Sequence, residues 1–99
     1  MAETRHYELM LILDPRLDDA VIQQAVDRFV GVIAERGGEA TKVDMWGRRR
    51  LAFEINHLSE GYYVVAQLQA QPPVLTELDR VLGLSDEVMR HKIVRPGKY

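Results

Sequence analysis

Apolar residues recur along this chain with two different periods, and the order of these periods restricts the possible folds more than any other feature. A period of two is typical of strands, and spacings of three and four residues are typical of helices. In chain order the pattern predicts a strand at 5–13, a helix at 18–36, a strand at 39–46 that continues extended through 51–55, a strand at 62–70, a helix at 73–82 and a strand at 88–95.

The order strand, helix, strand, strand, helix, strand predicts the fold class. Right-handed crossovers place both helices on one face of a four-stranded antiparallel sheet. We therefore predict an α+β, ferredoxin-like split βαβ fold (βαββαβ) in a single domain spanning residues 1–99. The strand at 5–13 carries apolar residues on both faces and should be central. With 46% apolar residues and no cysteine, the core must form without disulfides.

Local signals predict where several elements begin and end. Asp18 is a candidate N-cap for the first helix, and Gly37 supplies its left-handed stop. Gly83 is the predicted end of the second helix. Gly47 marks a possible bulge, and Asn56–Gly61 is the predicted turn between the second and third strands.

One face of the predicted sheet has no helix to cover it. Its apolar residues are too many for a surface in water, so we expect this face to be covered in the functional protein. The predicted partner-protein face consists of Met10, Ile12, Tyr63 and Val65, with Arg90 or Lys92 nearby.

The stretch Trp46–Ile55 joins three consecutive arginines to the only tryptophan. Alternation puts Leu51, Phe53 and Ile55 on one side of an extended chain, which we expect to be anchored in a core. Guanidinium groups match phosphate geometry, and tryptophan offers a flat face for stacking on bases. The predicted function of the stretch is nucleic-acid binding, and the alternative is a solvated basic turn.

The three arginines cannot all point the same way along a strand or bulge. We expect two of them to reach phosphate and one to be structural or solvated. For the tryptophan, packing at the edge of the core is the alternative to base stacking. The candidate nucleic-acid-binding residues of this stretch are Trp46, Arg48, Arg49 and Arg50.

Charge is segregated along the chain although the net charge is only −2. Segment 88–99 contains no acidic residue. The first and last strands should be neighbours, so their cations could form one basic band that contacts nucleic acid. A charged edge that blocks aggregation is the alternative. The predicted band consists of Arg5, Arg90, Lys92 and Arg95.

Few residues suggest catalysis or a metal. His6 and Glu8 share a strand face, which supplies two ligands where a catalytic zinc normally has three. His57 and His91 fall in a turn and a basic strand. We therefore predict no metal, no cofactor and no enzymatic activity.

With these segments assigned, the chain resembles a known family, the sixth protein of the bacterial small ribosomal subunit. The resemblance covers nearly the whole chain and rests on Arg5–Glu8, Trp46–Ile55, Gly61–Tyr63 and Val88–Arg90 in this order. Glu54 departs from the family, whose members often carry proline there.

The resemblance implies a non-enzymatic ribosomal protein with a ferredoxin-like fold. It implies binding to the central domain of small-subunit ribosomal RNA as a heterodimer with the eighteenth small-subunit protein. A ribosomal, cytoplasmic location agrees with the lack of cysteine and of a signal-peptide pattern in residues 1–5. The longest apolar run, Leu9–Leu13, is too short to span a bilayer.

A second class of function is compatible with the open apolar face. Two copies of a ferredoxin-like chain could pair these faces and hold a small ligand between them. Such a pocket does not require the arginine run, which is the feature that distinguishes the two hypotheses.

Overall fold

The computed structural model describes residues 4–95; positions 1–3, part of the segment searched for a signal peptide, lie outside this range. Its elements follow the predicted order, and the sheet order β2-β3-β1-β4 confirms the ferredoxin-like fold. The elements are β1 (Arg5–Leu13), α1 (Asp19–Glu35), β2 (Glu39–Ile55), β3 (Leu58–Ala70), α2 (Pro72–Leu84) and β4 (Val88–Val94).

Strand β1 is central, as its two apolar faces predict. Leu9 pairs with Ala66 of β3 on one side and with Ile93 of β4 on the other. Both helices pack against one face of this sheet and share a single core with it. Each fully buried aliphatic or aromatic side chain contributes about 1.5–3 kcal/mol of hydrophobic stabilisation. The largest of them are Phe29, Leu11, Leu13, Ile22, Ile33, Leu68, Leu78, Leu82 and Val64.

The first helix ends as predicted, but the second does not. Gly37 has φ +85°, and its N–H donates to the carbonyl of Ala34, which closes the last turn of α1. Helix α2 continues past Gly83 to Leu84, so the predicted end at Gly83 is wrong. Ser85 extends the helix, because its N–H donates to Leu82 and its hydroxyl to Val81.

The turn between β2 and β3 is shorter than predicted. Only Asn56 and His57 form it, with φ of 51° and 64°, and β3 already begins at Leu58. Two left-handed residues make a primed turn, whose twist matches that of the flanking strands. The predicted turn Asn56–Gly61 is therefore wrong after His57. The predicted bulge is confirmed: the register shifts between Met45 and Gly47, and Gly47 has φ +87°.

Carboxylates at the end of β1 and before β4 are held by arginines. Asp14 accepts two side-chain hydrogen bonds from Arg16, at 3.0 and 2.8 Å, which lower the pKa of its carboxyl. A hydrogen bond from its own backbone N–H, together with one from Arg28 at 3.0 Å, lowers the pKa of Glu87. These groups therefore favour the folded state when they are ionised.

Candidate nucleic-acid and protein interface

The helix-free face of the sheet has an apolar centre. Leu9, Leu11 and Leu13 belong to the core, so the intervening Met10 and Ile12 lie on the opposite face. Met10 pairs with Val65 and Ile12 with Tyr63, which brings the four predicted residues together.

The four residues differ in their exposure. Ile12 and Val65 are each only 8% exposed. Met10 and Tyr63 are half-buried and form the accessible part of the patch. They line a concavity of about 590 Å³ together with Ile12 and three basic residues of β4. Any partner on this face therefore meets Met10 and Tyr63 first.

Two cations of β4 stand beside this centre. Arg90 pairs with Ile12 and Lys92 with Met10, so both lie on the helix-free face, and both are exposed. Within residues 4–95 neither takes part in an ion pair. Two unpaired like charges on one strand form a local positive field that favours an anionic ligand.

The single basic band predicted for β1 and β4 does not form. Arg5 pairs with Ala70, whose side chain belongs to the core, so Arg5 lies on the helix side of the sheet. Arg90 and Lys92 lie on the other side. Arg95 follows the last residue of β4. The prediction of one band is wrong because side chains alternate between the two faces along each strand.

Arg48 is bound within the protein. Its Nε donates to the carbonyl of Pro15 and its Nη2 to that of Leu17, both at 2.9 Å. Its Nη1 is 2.9 Å from Asp19, and its guanidinium lies over the ring of Tyr62. These contacts tie the loop between β1 and α1 to β2. The guanidinium of Arg48 therefore has a structural function.

Arg49 and Arg50 point into solvent. The guanidinium of Arg49 lies 5.0 Å from the ring centroid of Trp46, a cation–π contact between two exposed side chains. Arg50 is opposite Glu60 in the register. Neither arginine is in an ion pair with another described residue. The arginine run thus separates into one internal arginine and two outward ones.

Phe53 is the residue whose position the sequence predicted wrongly. Alternation groups it with Leu51, which is 8% exposed, but Phe53 itself is 84% exposed. The register shifts between Arg50 and Ile55, and this irregularity breaks the alternation. No pattern in the sequence marks the shift, so no sequence signal could have identified Phe53 as a surface residue.

The candidate metal ligands do not converge. The ring Nε2 of His6 is 2.8 Å from the Gln67 side-chain oxygen, and the Gln67 amide donates to Glu8 at 2.9 Å. His91 contacts Asp79 of α2 at 2.7 Å. Within residues 4–95, no three potential ligands lie close enough to hold a metal ion. His6 and His91 therefore act in hydrogen bonds between elements.

The fold and the site together define a class of protein. A ferredoxin-like sheet with one helix-free face, an apolar centre on that face and outward cations beside it is a binding module. No helix among the described residues is long and apolar enough to cross a membrane.

The chain belongs to the ribosomal protein S6 family, whose model matches residues 6–95. The small ribosomal subunit protein bS6 of Rhodococcus opacus (strain B4) is 50% identical over 94 residues, which cover 95% of this chain and 99% of that protein. The corresponding protein of Carboxydothermus hydrogenoformans is 49% identical over 94 residues, covering 95% and 98%.

A crystal structure of 30S ribosomal protein S6 from Thermotoga maritima superposes with a TM-score of 0.88 at 31% identity, covering 94% of this chain and 88% of that one. The resemblance recognised in the sequence is thereby confirmed. The family consists of small-subunit ribosomal proteins, which are structural proteins and not enzymes.

Proposed function

We propose that this chain is a cytoplasmic ribosomal protein that binds the central domain of small-subunit ribosomal RNA together with the eighteenth small-subunit protein. The observation that carries the proposal is the combination, on the helix-free face of the sheet, of an uncovered apolar centre with the outward cations Arg90 and Lys92. An RNA partner and a protein partner together would satisfy both features.

Four cations are the proposed phosphate contacts. Arg49 and Arg50 lie on β2, and Arg90 and Lys92 lie on β4. All four are exposed and have no ion-pair partner within the described chain. Phosphate contacts of this kind fix position and orientation without reading sequence. Trp46, Arg5 and Arg95 complete the proposed RNA-binding set, and Arg48 acts by positioning its neighbours.

The proposed protein contact is the accessible apolar pair Met10 and Tyr63, with the more buried Ile12 and Val65 as their cross-strand partners. Covering this pair removes apolar surface from water at about 25 cal/mol per Å². The net charge of −2 supports a partner that supplies further positive charge to the RNA interface.

A binding titration on a central-domain rRNA fragment tests the proposal, with and without the partner protein and at two salt concentrations. We expect Arg49/Arg50→Ala to weaken binding by about 1–3 kcal/mol. Affinity decreases with salt, so the slope of log K against log salt is negative. Its magnitude should decrease by about 0.7–0.9 for each lost phosphate contact.

A matched control is available on the helix side. Arg36/Arg80→Ala removes the same charge, but both arginines pair with Glu77. This variant should bind RNA nearly as the native chain does. Equal losses in both double variants would indicate a general charge effect and contradict a local site.

The concavity at Met10 and Tyr63 supports one other function, a dimer that holds a small ligand between two open faces. A stable homodimer that binds no RNA under any of these conditions would favour it. RNA binding that requires the partner protein would exclude it as the main function.

A further inference from the structure

The hairpin formed by β2 and β3 extends beyond the rest of the sheet. The last residue of β1, Leu13, pairs with Tyr62, and Tyr62 also pairs with Arg48 of β2. Residues 49–61 therefore continue past the end of β1, and no third strand of the described chain pairs with them there. This end of the hairpin can reach a partner that the main sheet does not contact.

A large bulge lies on the outer arm of this hairpin. Arg50 pairs with Glu60 and Ile55 with Leu58, so the four residues 51–54 stand opposite the single residue Ser59. A bulge of this kind changes the direction in which side chains point. Leu51 still turns inward, since its Cδ2 would lie 3.3 Å from a methyl group placed on Gly61.

Phe53 occupies the middle of the bulge and is 84% exposed, the most exposed large apolar side chain among the described residues. A buried phenylalanine ring contributes about 1.5–3 kcal/mol to folding. Because this ring stays exposed, the fold gains almost none of that contribution. An aromatic ring that the fold presents to solvent is available for binding.

The surroundings of Phe53 indicate what it binds. Arg49 and Arg50 precede it on the same strand, and both are exposed and unpaired within residues 4–95. Protein–protein anchors normally sit within a ring of other contacts that excludes water. An exposed aromatic that follows two exposed arginines on the same arm of the hairpin instead suits RNA, whose bases stack while its phosphates pair.

We propose that Phe53 is a base-stacking residue: its ring stacks on an unpaired base of the bound RNA, while Arg49 and Arg50 on the same arm of the hairpin contact phosphates of that RNA. This inference rests on the proposed function and adds a base contact to it. Unpaired bases are accessible in the loops, bulges and junctions of a folded RNA, where an aromatic side chain can stack on them.

Three substitutions at this position separate stacking from other contacts. Phe53→Ala removes the ring, Phe53→Leu keeps apolar area without an aromatic face, and Phe53→Trp keeps the face. With the central-domain rRNA fragment and the partner protein, we expect Ala and Leu to weaken binding about 5- to 150-fold and Trp to bind as the native chain does. Because stacking releases no counterions, the salt slope should be unchanged in all three, unlike in Arg49/Arg50→Ala.

Two controls keep the test specific. Leu84→Ala removes another strongly exposed apolar side chain (71%) at the end of α2 and should leave RNA affinity unchanged. Thermal unfolding of each Phe53 variant should match the native chain, since the ring contributes little to the core.

Each other outcome overturns the inference. Native affinity for Phe53→Ala would exclude a stacking contact and leave the proposed function intact. A loss in Phe53→Ala that Phe53→Leu restores, together with weaker binding to the partner protein alone, would assign the residue to a protein contact. Failure of the native chain itself to bind RNA would remove the proposed function and this inference with it.

Discussion

The two sides of the sheet are made from the same strands, but they differ in whether their charged side chains have partners within the protein. On the helix side, Arg48 is used in internal contacts, and Arg28 holds Glu87. On the helix-free side and its hairpin, Arg49, Arg90 and Lys92 remain exposed and unpaired within the described chain. The difference indicates that one side holds the fold together, while the other keeps its cations available for binding.

The largest expected effect concerns the core on the helix side. Phe29→Ala removes a ring that is 1% exposed and should lower the free energy of unfolding by about 3–5 kcal/mol. Urea denaturation measures it. Met10→Ala on the other side should cost clearly less, because Met10 is half-buried. Equal losses would mean that both sides contribute alike to stability.

Glycine substitutions test how closely the helix-free side is packed at its edge. A methyl group on Gly61 would lie 2.3 Å from Cγ2 of Ile12, so Gly61→Ala should destabilise by about 1–3 kcal/mol. A methyl group added at Gly31 in α1 would meet no atom of another part of the protein within 4 Å, so Gly31→Ala should stabilise by up to about 1 kcal/mol. Thermal unfolding of the two variants should therefore shift in opposite directions, and a shared direction would contradict the contact with Ile12.

Adjacent arginines allow the sharpest comparison of the two sides. Arg48→Ala should lower stability by about 1–2 kcal/mol, because two carbonyl contacts and an ion pair are lost. Arg48→Lys should restore little of it, since an ammonium group cannot reproduce the forked contacts. Arg49→Ala should change stability by less than about 0.5 kcal/mol and should reduce RNA affinity instead. Chemical denaturation and RNA titration of the same variants measure both effects. A larger loss of stability in Arg49→Ala than in Arg48→Ala would contradict this assignment.

The smallest expected effect is a dependence of stability on pH. The folded-state pKa of Glu87 is lowered below its ordinary value of 4.5, so its contribution is complete above that value and is lost as the pH falls through the folded pKa. Glu87→Gln should cost about 0.2–1 kcal/mol at neutral pH and flatten the acid limb of the stability curve. Arg28→Ala should lower stability in the same direction but by less. The double variant should be only slightly less stable than Glu87→Gln alone. Additive losses would show that the two residues do not act as a pair.

Periodicity predicted the fold well because the core side of each element is a local property. Alternation in β1 and spacings of three and four in α1 depend only on which residues must be buried. The element ends were less predictable. Helix α2 passes Gly83, and β3 begins at Leu58, because hydrogen bonds of Ser85 and the primed turn at Asn56 and His57 outweigh the breaker signals.

The residues of the candidate site were found in the sequence, but their division between two sides was not. Arg48, Arg49 and Arg50 are the same residue type at consecutive positions. The sequence therefore cannot show that Arg48 is the one that donates to the carbonyls of Pro15 and Leu17. Arg5 was predicted in one band with Arg90, although the pairing of Arg5 with Ala70 puts it on the other side. Phe53 was predicted to lie on the same side of the chain as Leu51 and Ile55 and to be anchored in the core, but it is 84% exposed.

The sequence by itself determined the order of elements, the composition of the core and the presence of a basic cluster beside an uncovered apolar face. These follow from short-range periods that every residue of a segment shares. Only the tertiary structure decided the directions of single side chains. The register of β2 against β3 shifts at three places, between Ala40 and Lys42, between Met45 and Gly47, and between Arg50 and Ile55. A shift of one residue moves a side chain to the other face. Such shifts depend on how β2 pairs with β3, which is a contact between distant parts of the chain.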